Sequence, residues 1–301
     1  MKVLLFGGNG QVGTEIRKLF GDSPDLVVTT RSGMIDGQQC EAADFDRPLS
    51  LVAVLGRVQP ELIINAAAYT AVDAAQTDAE AAWRANAEAP AQIAGWCAQH
   101  GVPLVHYSTD YVFDGQASQP YREDDATAPL GVYGQSKRAG EEAIVASGAS
   151  YLIFRTAWVY ASHGKNFLRT MLRLGAEREQ LGVVADQVGS PTSAALIARA
   201  TLAVLQSGQL QSGIWHLTSN GQTSWHGFAQ AIFAHAHALG LLPNKPRVDA
   251  ISTADYPTPA QRPAWSVLDN SRLQQDFAIT LPHWEQELAS VLGQMAPATK
   301  D

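Results

Sequence analysis

Five continuous apolar runs alternate with helix-length segments over the first 160 residues, and few folds accommodate that order. The runs are KVLLFGG, DLVVTTR, ELIINAAA, PLVHYSTDYVF and YLIFRTAWVY. Strands that are apolar throughout, rather than at alternate positions, suit a parallel sheet covered on both faces. Parallel neighbours need crossovers, and helices supply them. QVGTEIRKLFG follows the first run as a helix, and DAEAAWRANAEAPAQIAGWCAQHG reads as a long helix by propensity, with Pro90 as its kink or restart. The expected fold class is therefore α/β, a Rossmann-like doubly wound parallel sheet. Past residue 160 the pattern loosens. NFLRTMLRLGAERE, SAALIARATLAVLQSG, SWHGFAQAIFAHAHALG and HWEQELASVLGQM read as amphipathic helices, GIWHLTS as a short strand, and YPTPAQRPAW as a loop.

Within that frame the string GGNGQVG closes the first strand and opens the first helix. Glycines there permit a tight turn and let the backbone and helix N-terminus approach a pyrophosphate. Gly7, Gly10, Gln11, Val12 and Gly13 are accordingly cofactor candidates. An acid about 20 residues past the glycines selects NAD, whereas an arginine accommodates a 2′-phosphate. Arg31 stands at the end of the second strand, next to Thr30, and favours NADPH with NADH still possible. Asp44 and Phe45 could clasp and stack on the adenine. Ala66, Ala67, Ala68, Tyr69 and Thr70 end the third run with small residues against which a cofactor can lie.

HYSTDYVF puts hydroxyls and an acid at the carboxyl end of the fourth run, where open α/β sheets bind ligands. Ser108, Thr109, Asp110 and Tyr111 cannot all point inward, but some must face the presumed crevice, with Thr109 taken as the reactive hydroxyl and Tyr107 as a further cofactor contact. In VYGQSKRAGE, Tyr133 and Lys137 are four residues apart, so phenol and ammonium share one helical face. A neighbouring ammonium is expected to lower the phenol's pKa and to ease proton exchange near neutrality. Trp158 ends the fifth run beside the same crevice, while the other tryptophans, Trp225 among them, read as packing residues.

Composition closes off other classes. A formal charge of −8 argues against a nucleic-acid binder, because phosphate-backbone affinity needs clustered Lys and Arg. No stretch reaches the roughly 18 apolar residues of a membrane span, and MKVLLF is short for a signal peptide, so a cytoplasmic enzyme is expected. Cys40 and Cys97 make neither a metal spacing nor a disulfide framework. His235 and His237, two apart on a helix, diverge, and no metal site is expected.

Taken together, the glycine string, the hydroxyl-rich fourth strand and the Tyr-x-x-x-Lys pair resemble the extended short-chain dehydrogenase/reductase superfamily. HYSTDYVFDG, APLGVYGQSKRAGE, FRTAWVYA, DQVGSPT and YPTPAQRPAWSVLD, in this order from residue 1 to about 295, resemble its dTDP-4-dehydrorhamnose reductase family. The resemblance implies NADPH-dependent reduction of the 4-keto group of a dTDP-6-deoxy sugar, the last step of dTDP-L-rhamnose synthesis. It implies Tyr133 as proton donor, Lys137 on the nicotinamide ribose, and Thr109 on the carbonyl oxygen. It further implies Asp110 and Trp158 on the sugar, and Asn166, Gln187 and Arg262 on the nucleotide diphosphate, with Lys165 as an added cation. The domain expectation is a dinucleotide-binding Rossmann domain at 1–160, to which later segments return, and a mainly sugar-nucleotide-binding lobe at 161–301.

Two departures from the family pattern stand out. Gln261 precedes Arg262 where consecutive arginines are common. Ala195 stands where relatives that dimerise through a metal carry an acid, which argues against a metal-bridged dimer and leaves magnesium, and the choice of monomer or homodimer, open. Other sugar-nucleotide reductases, epimerases or dehydratases, and a non-catalytic regulatory subunit, are the competing readings.

Overall fold

Strand β1 (Val3–Phe6) is buried at every position, and its side chains alternate between two separate cores. In the computed structural model, which describes residues 1–209 and 211–296, six further strands extend from it. They are β2 (Leu26–Thr30), β3 (Glu41–Ala42), β4 (Leu62–Asn65), β5 (Leu104–Thr109), β6 (Tyr151–Thr156) and β7 (Gly213–His216). All seven are parallel, in the order β7-β6-β5-β4-β1-β2-β3. Residues 297–301 of the predicted second lobe lie outside the described residues.

Helices cover both faces, as continuous apolar strands require. Beneath Leu4, Phe6 and Ile63 pack α2 (Ser50–Val58), α4 (Ala89–His100) and α5 (Val132–Ala146). Val3, Leu5, Ile64 and Phe154 on the other face meet α1 (Gln11–Phe20), α7 (Ala194–Gln206) and α9 (Ser271–Phe277). A third core joins α6 (Phe167–Glu177), α8 (Trp225–Ala238) and α10 (Trp284–Gly293) around Phe228, Phe233 and Trp284. The predicted strand GIWHLTS is β7, which pairs Gly213 with Leu152 at the edge of the main sheet. The segment YPTPAQRPAW holds no helix or strand.

The predicted long helix from residue 78 to 101 is broken where proline forces it. After α3 (Ala79–Trp83), residues Arg84–Glu88 form a π-helical turn, and α4 resumes with Pro90 at its start. Proline has no N–H for the carbonyl four residues back, which belongs to Asn86. That carbonyl leans instead on α5 at Gly140, where a Cβ would sit 2.1 Å from it. The Asn86 side chain, fully buried, accepts from Tyr69 N and donates to Tyr69 O and Ser136 Oγ. It thereby fixes the end of β4 to the helix that carries Tyr133 and Lys137.

Candidate active site

The turn from β1 into α1 builds a cradle with no side chains in it. Gly7 has φ +78°, and a Cβ there would lie 2.7 Å from Ala67 N; at Gly13 it would lie 2.1 Å from Gly7 O. Only hydrogen fits at both positions, so turn, helix and the end of β4 close on one another. Gly10 caps α1 without a side-chain hydrogen bond and the first turn carries no acid, so the helix end offers its N–H groups and partial positive charge.

Beside the cradle opens a cleft of about 830 Å³ at the carboxyl ends of the strands. Gly7, Gly10, Gln11, Val12, Arg31, Phe45, Ala66, Ala67, Ala68, Tyr69, Thr70 and Tyr107 all line it. Gly13 lies behind the turn, in the close-packing role just described. Arg31 is mostly exposed and sits 3.4 Å from Asp44 and 3.5 Å from Asp46. Asp44 itself does not line the cleft; Asp46 does, a residue that the sequence reading passed over.

At the other end Thr109, Asp110, Tyr133 and Lys137 converge. Tyr133 packs edge-on against Tyr111, with ring centroids 5.5 Å apart. Burial is the largest influence on Tyr133 and pushes its phenol well above the usual range, with the nearby Thr109 hydroxyl acting in the opposite sense. The shift is thus opposite to the expected lowering, Lys137 is not among the groups that move the phenol, and the phenol stays protonated at neutral pH. Burial pushes Lys137 down to about 8, opposed by the Glu141 carboxylate. The Thr109 hydroxyl donates to Asp110 Oδ1 at 2.9 Å and accepts from Tyr111 N, so its proton is committed to the neighbouring acid. Burial pushes Asp110 up to about 6.

Segments that follow β6 supply the opposite wall. Trp158 adopts φ +49°, in the left-handed region, and its ring lies flat on Trp225 at 3.5 Å. Both line the cleft, with Lys165 and Arg262. Arg262 is held by Asp73 Oδ2 at 2.8 Å and reaches Tyr111 OH at 3.4 Å. Asn166 and Gln187 do not line it. Asn166 caps α6 through Arg169 N and donates to Gln11 Oε1, Ala161 O and His163 O. Gln187 is buried and donates to Thr253 Oγ1. All four residues from Ser108 to Tyr111 line the cleft, and Trp225 and Thr156 line it without having been singled out. Thr156 was the one open to inference, since it ends the strand beside Thr109 in direct register.

These residues fit a dinucleotide. The cradle admits backbone contact with a diphosphate, and the buried hydroxyls of Ser108 and Thr156 have no hydrogen-bond partner among the described residues although their residues line the cleft. Among the described residues no group of three or more His, Cys, Asp or Glu is placed to hold a metal ion, and no helix is long and apolar enough to cross a membrane.

A doubly wound sheet with a glycine turn at one end of its crevice and a Tyr-x-x-x-Lys helix at the other belongs to the NAD(P)H-dependent oxidoreductases of the extended short-chain dehydrogenase/reductase type. The family model described as RmlD substrate binding domain matches residues 1–296. A dTDP-4-dehydrorhamnose reductase of Burkholderia thailandensis is 47% identical over 94% of this chain and 95% of its own length. That of Escherichia coli K12 is 40% identical over 99% of each chain. A crystal structure of the Bacillus anthracis dTDP-4-dehydrorhamnose reductase in complex with NADP superposes with a TM-score of 0.88 at 32% identity, covering 98% of this chain and 100% of that one. The chain belongs to the dTDP-4-dehydrorhamnose reductase family.

Proposed function

We propose that this chain reduces the 4-keto group of dTDP-4-dehydro-L-rhamnose to give dTDP-L-rhamnose, with NADPH as the preferred reductant. The observation that carries the reading is the convergence of buried Thr109 and Lys137 with half-buried Tyr133 in the cleft of a chain related along its whole length to such reductases. When bound, the nicotinamide supplies the hydride that carbon 4 accepts. Tyr133 gives its phenolic proton to the oxygen on that carbon, so the carbonyl gains one hydride and one proton and becomes a hydroxyl. Lys137 holds the cofactor ribose and, as an ammonium, stabilises the phenolate left behind. Thr109 orients the carbonyl once its proton turns from Asp110. Trp158, backed by Trp225, offers the sugar a flat apolar wall, and Arg262 with Lys165 meets the diphosphate. Asn166 and Gln187 act behind these contacts, through α6 and the 253 loop.

The test is direct: purified protein, chemically defined dTDP-4-keto-6-deoxy-L-mannose and NADPH, with cofactor oxidation followed by absorbance and the product identified by NMR. No oxidation would overturn the reading, and a talose product would assign the chain to a reductase of opposite stereochemistry.

Cofactor choice has its own check. Arg31→Asp adds a third carboxylate beside Asp44 and Asp46 and removes the cation, so kcat/KM with NADPH should fall by about 10- to 100-fold and preference should shift to NADH. Equal use of both cofactors by the wild type, unaltered by the substitution, would refute this. For the sugar nucleotide, Arg262→Ala should weaken binding by about 1.5–3 kcal/mol, because a charge-assisted bond is lost and Asp73 is left unneutralised. An unchanged KM for the sugar nucleotide counts against the assignment.

A further inference from the structure

Beneath the cleft, three buried side chains form a row in which donors and acceptors do not match if each carries its ordinary charge. Asn65 Oδ1 accepts from the Ala67 backbone N–H at 3.1 Å, which fixes the orientation of the amide. Asn65 Nδ2 therefore points at His106 Nδ1, 3.1 Å away. An amide nitrogen only donates, so Nδ1 accepts and the imidazole proton sits on Nε2. Nε2 in turn lies 3.2 Å from Lys137 Nζ, which also donates to the Tyr107 carbonyl at 2.6 Å.

An ammonium has three donors and no acceptor, so a charged Lys137 sets N–H against N–H at His106. Moving the imidazole proton to Nδ1 transfers the clash to Asn65, and turning the Asn65 amide over transfers it to Ala67. A neutral amine removes it: the lone pair of Nζ accepts from Nε2–H while an N–H still serves Tyr107. Asn65, His106 and Lys137 are 1%, 0% and 2% exposed, so bulk solvent does not relieve the mismatch.

We infer that Asn65 and His106 are positioning residues that hold Lys137 as a neutral amine in the free protein, so that cofactor binding draws in the proton that charges it. The inference rests on the proposal that Lys137 meets the nicotinamide ribose. Burial already takes Lys137 down to about 8, and the donor mismatch acts in the same direction. Burial keeps His106 far below its usual pKa, and a charge on Lys137 would only add to this, so the neutral imidazole is the relevant form.

Few other charges bear on the amine. On α5 itself Glu141 favours the charged form, and it is shared with Arg138 and with Arg155 of β6. From β5 and the turn after it come His106, Asp110 and Tyr111, the last two acting on Tyr133. The π turn packed on α5 presents the neutral amide of Asn86, and its Arg84 pairs with Asp46 and Glu80. From α4 come Cys97, whose thiol burial pushes up to about 12, and His100, bonded to Trp96 O. The cofactor brings new negative charge in its diphosphate and in the 2′-phosphate assigned to Arg31, and both favour the ammonium.

Calorimetric titration of NADPH into the intact protein, in two buffers of different ionisation enthalpy, measures the proton taken up. At pH near 8 the wild type should take up roughly one proton per cofactor. Asn65→Asp supplies an acceptor to Nδ1–H and so frees Nε2 to accept from the ammonium; uptake should fall by about half or more, and the alkaline loss of turnover should move to higher pH. His106→Gln, whose amide oxygen can turn to Nζ, should act in the same direction without adding a carboxylate, and it carries the test if the Asp variant fails to fold. Binding without proton uptake by the wild type, or uptake unaltered in the folded variants, overturns the inference. Absence of NADPH binding would instead overturn the cofactor reading, and the inference with it.

Discussion

Tyr133→Phe is expected to lower turnover by about 10²- to 10⁴-fold while the melting temperature stays close to that of the wild type. The ring keeps its place, since the edge-on contact with Tyr111 needs no hydroxyl. What is lost is a proton donor whose environment suits the reductive direction. Burial holds the phenol protonated throughout the neutral range, and a donor for a developing alkoxide must begin protonated. Asp110 and Tyr111 push in the same direction, so no working pH leaves a significant phenolate in the free protein. The residual rate reports what Thr109 and positioning achieve alone. Turnover at saturating substrate and thermal melting, measured on the same preparation, separate this from a structural role. A folded Phe variant with wild-type turnover would mean that another group donates the proton.

The sequence made some of this legible for identifiable reasons. Strands buried on both faces must be apolar throughout, so β1, β4, β5 and β6 were visible as runs, and the glycine turn was fixed by its place between β1 and α1. Tyr133 and Lys137 were found because a helix converts a spacing of four into adjacency. Pro90 announced a break, although not that the break would be a π turn accommodated by Gly140 across the interface.

Other features depend on long-range partners and leave no local trace. GIWHLTS reads as a strand, but its place at the sheet edge depends on pairing with Leu152, some 61 residues earlier, as Gly213 meets it. Trp225 begins a helix with ordinary amphipathic spacing, and nothing local distinguishes a packing tryptophan from one whose face stacks on Trp158 in a cleft. For Asn166 the sequence did hold a competing signal, because asparagine before FLRT is also a helix cap, and the cap is where the structure uses it. The lysine expected to lower the Tyr133 phenol stands one helical turn away, but pairwise spacing carries no information on desolvation, and desolvation dominates there.

The helix that carries the reactive pair is held to the sheet by one buried ion pair, and breaking it should give the largest loss of stability. Arg155 of β6 donates from Nε to Glu141 Oε1 at 2.9 Å and from Nη2 to Oε2 at 2.8 Å, with both side chains almost fully buried. Its guanidinium also lies 5.1 Å from the centre of the Phe113 ring and reaches Glu123 O. Arg155→Met keeps most of the volume but leaves the Glu141 carboxylate with Arg138 alone, at 3.3 Å. Removing one partner of a buried pair typically costs about 3–5 kcal/mol, because the other charge stays desolvated. The remaining arginine puts the expectation towards the lower end of that range. Arg155→Met/Glu141→Leu removes both charges and should recover most of the loss in chemical denaturation, a non-additivity that a purely steric effect would not produce. The double variant should still differ from the wild type in its pH profile. Glu141 raises the pKa of Lys137, so without it the amine loses its proton sooner and the alkaline fall in turnover should begin at lower pH. A single variant as stable as the wild type would show that the pair contributes nothing net to holding α5. Full stability in the double variant with an unmoved alkaline limb would separate the fold's use of Glu141 from any influence on the lysine one turn away.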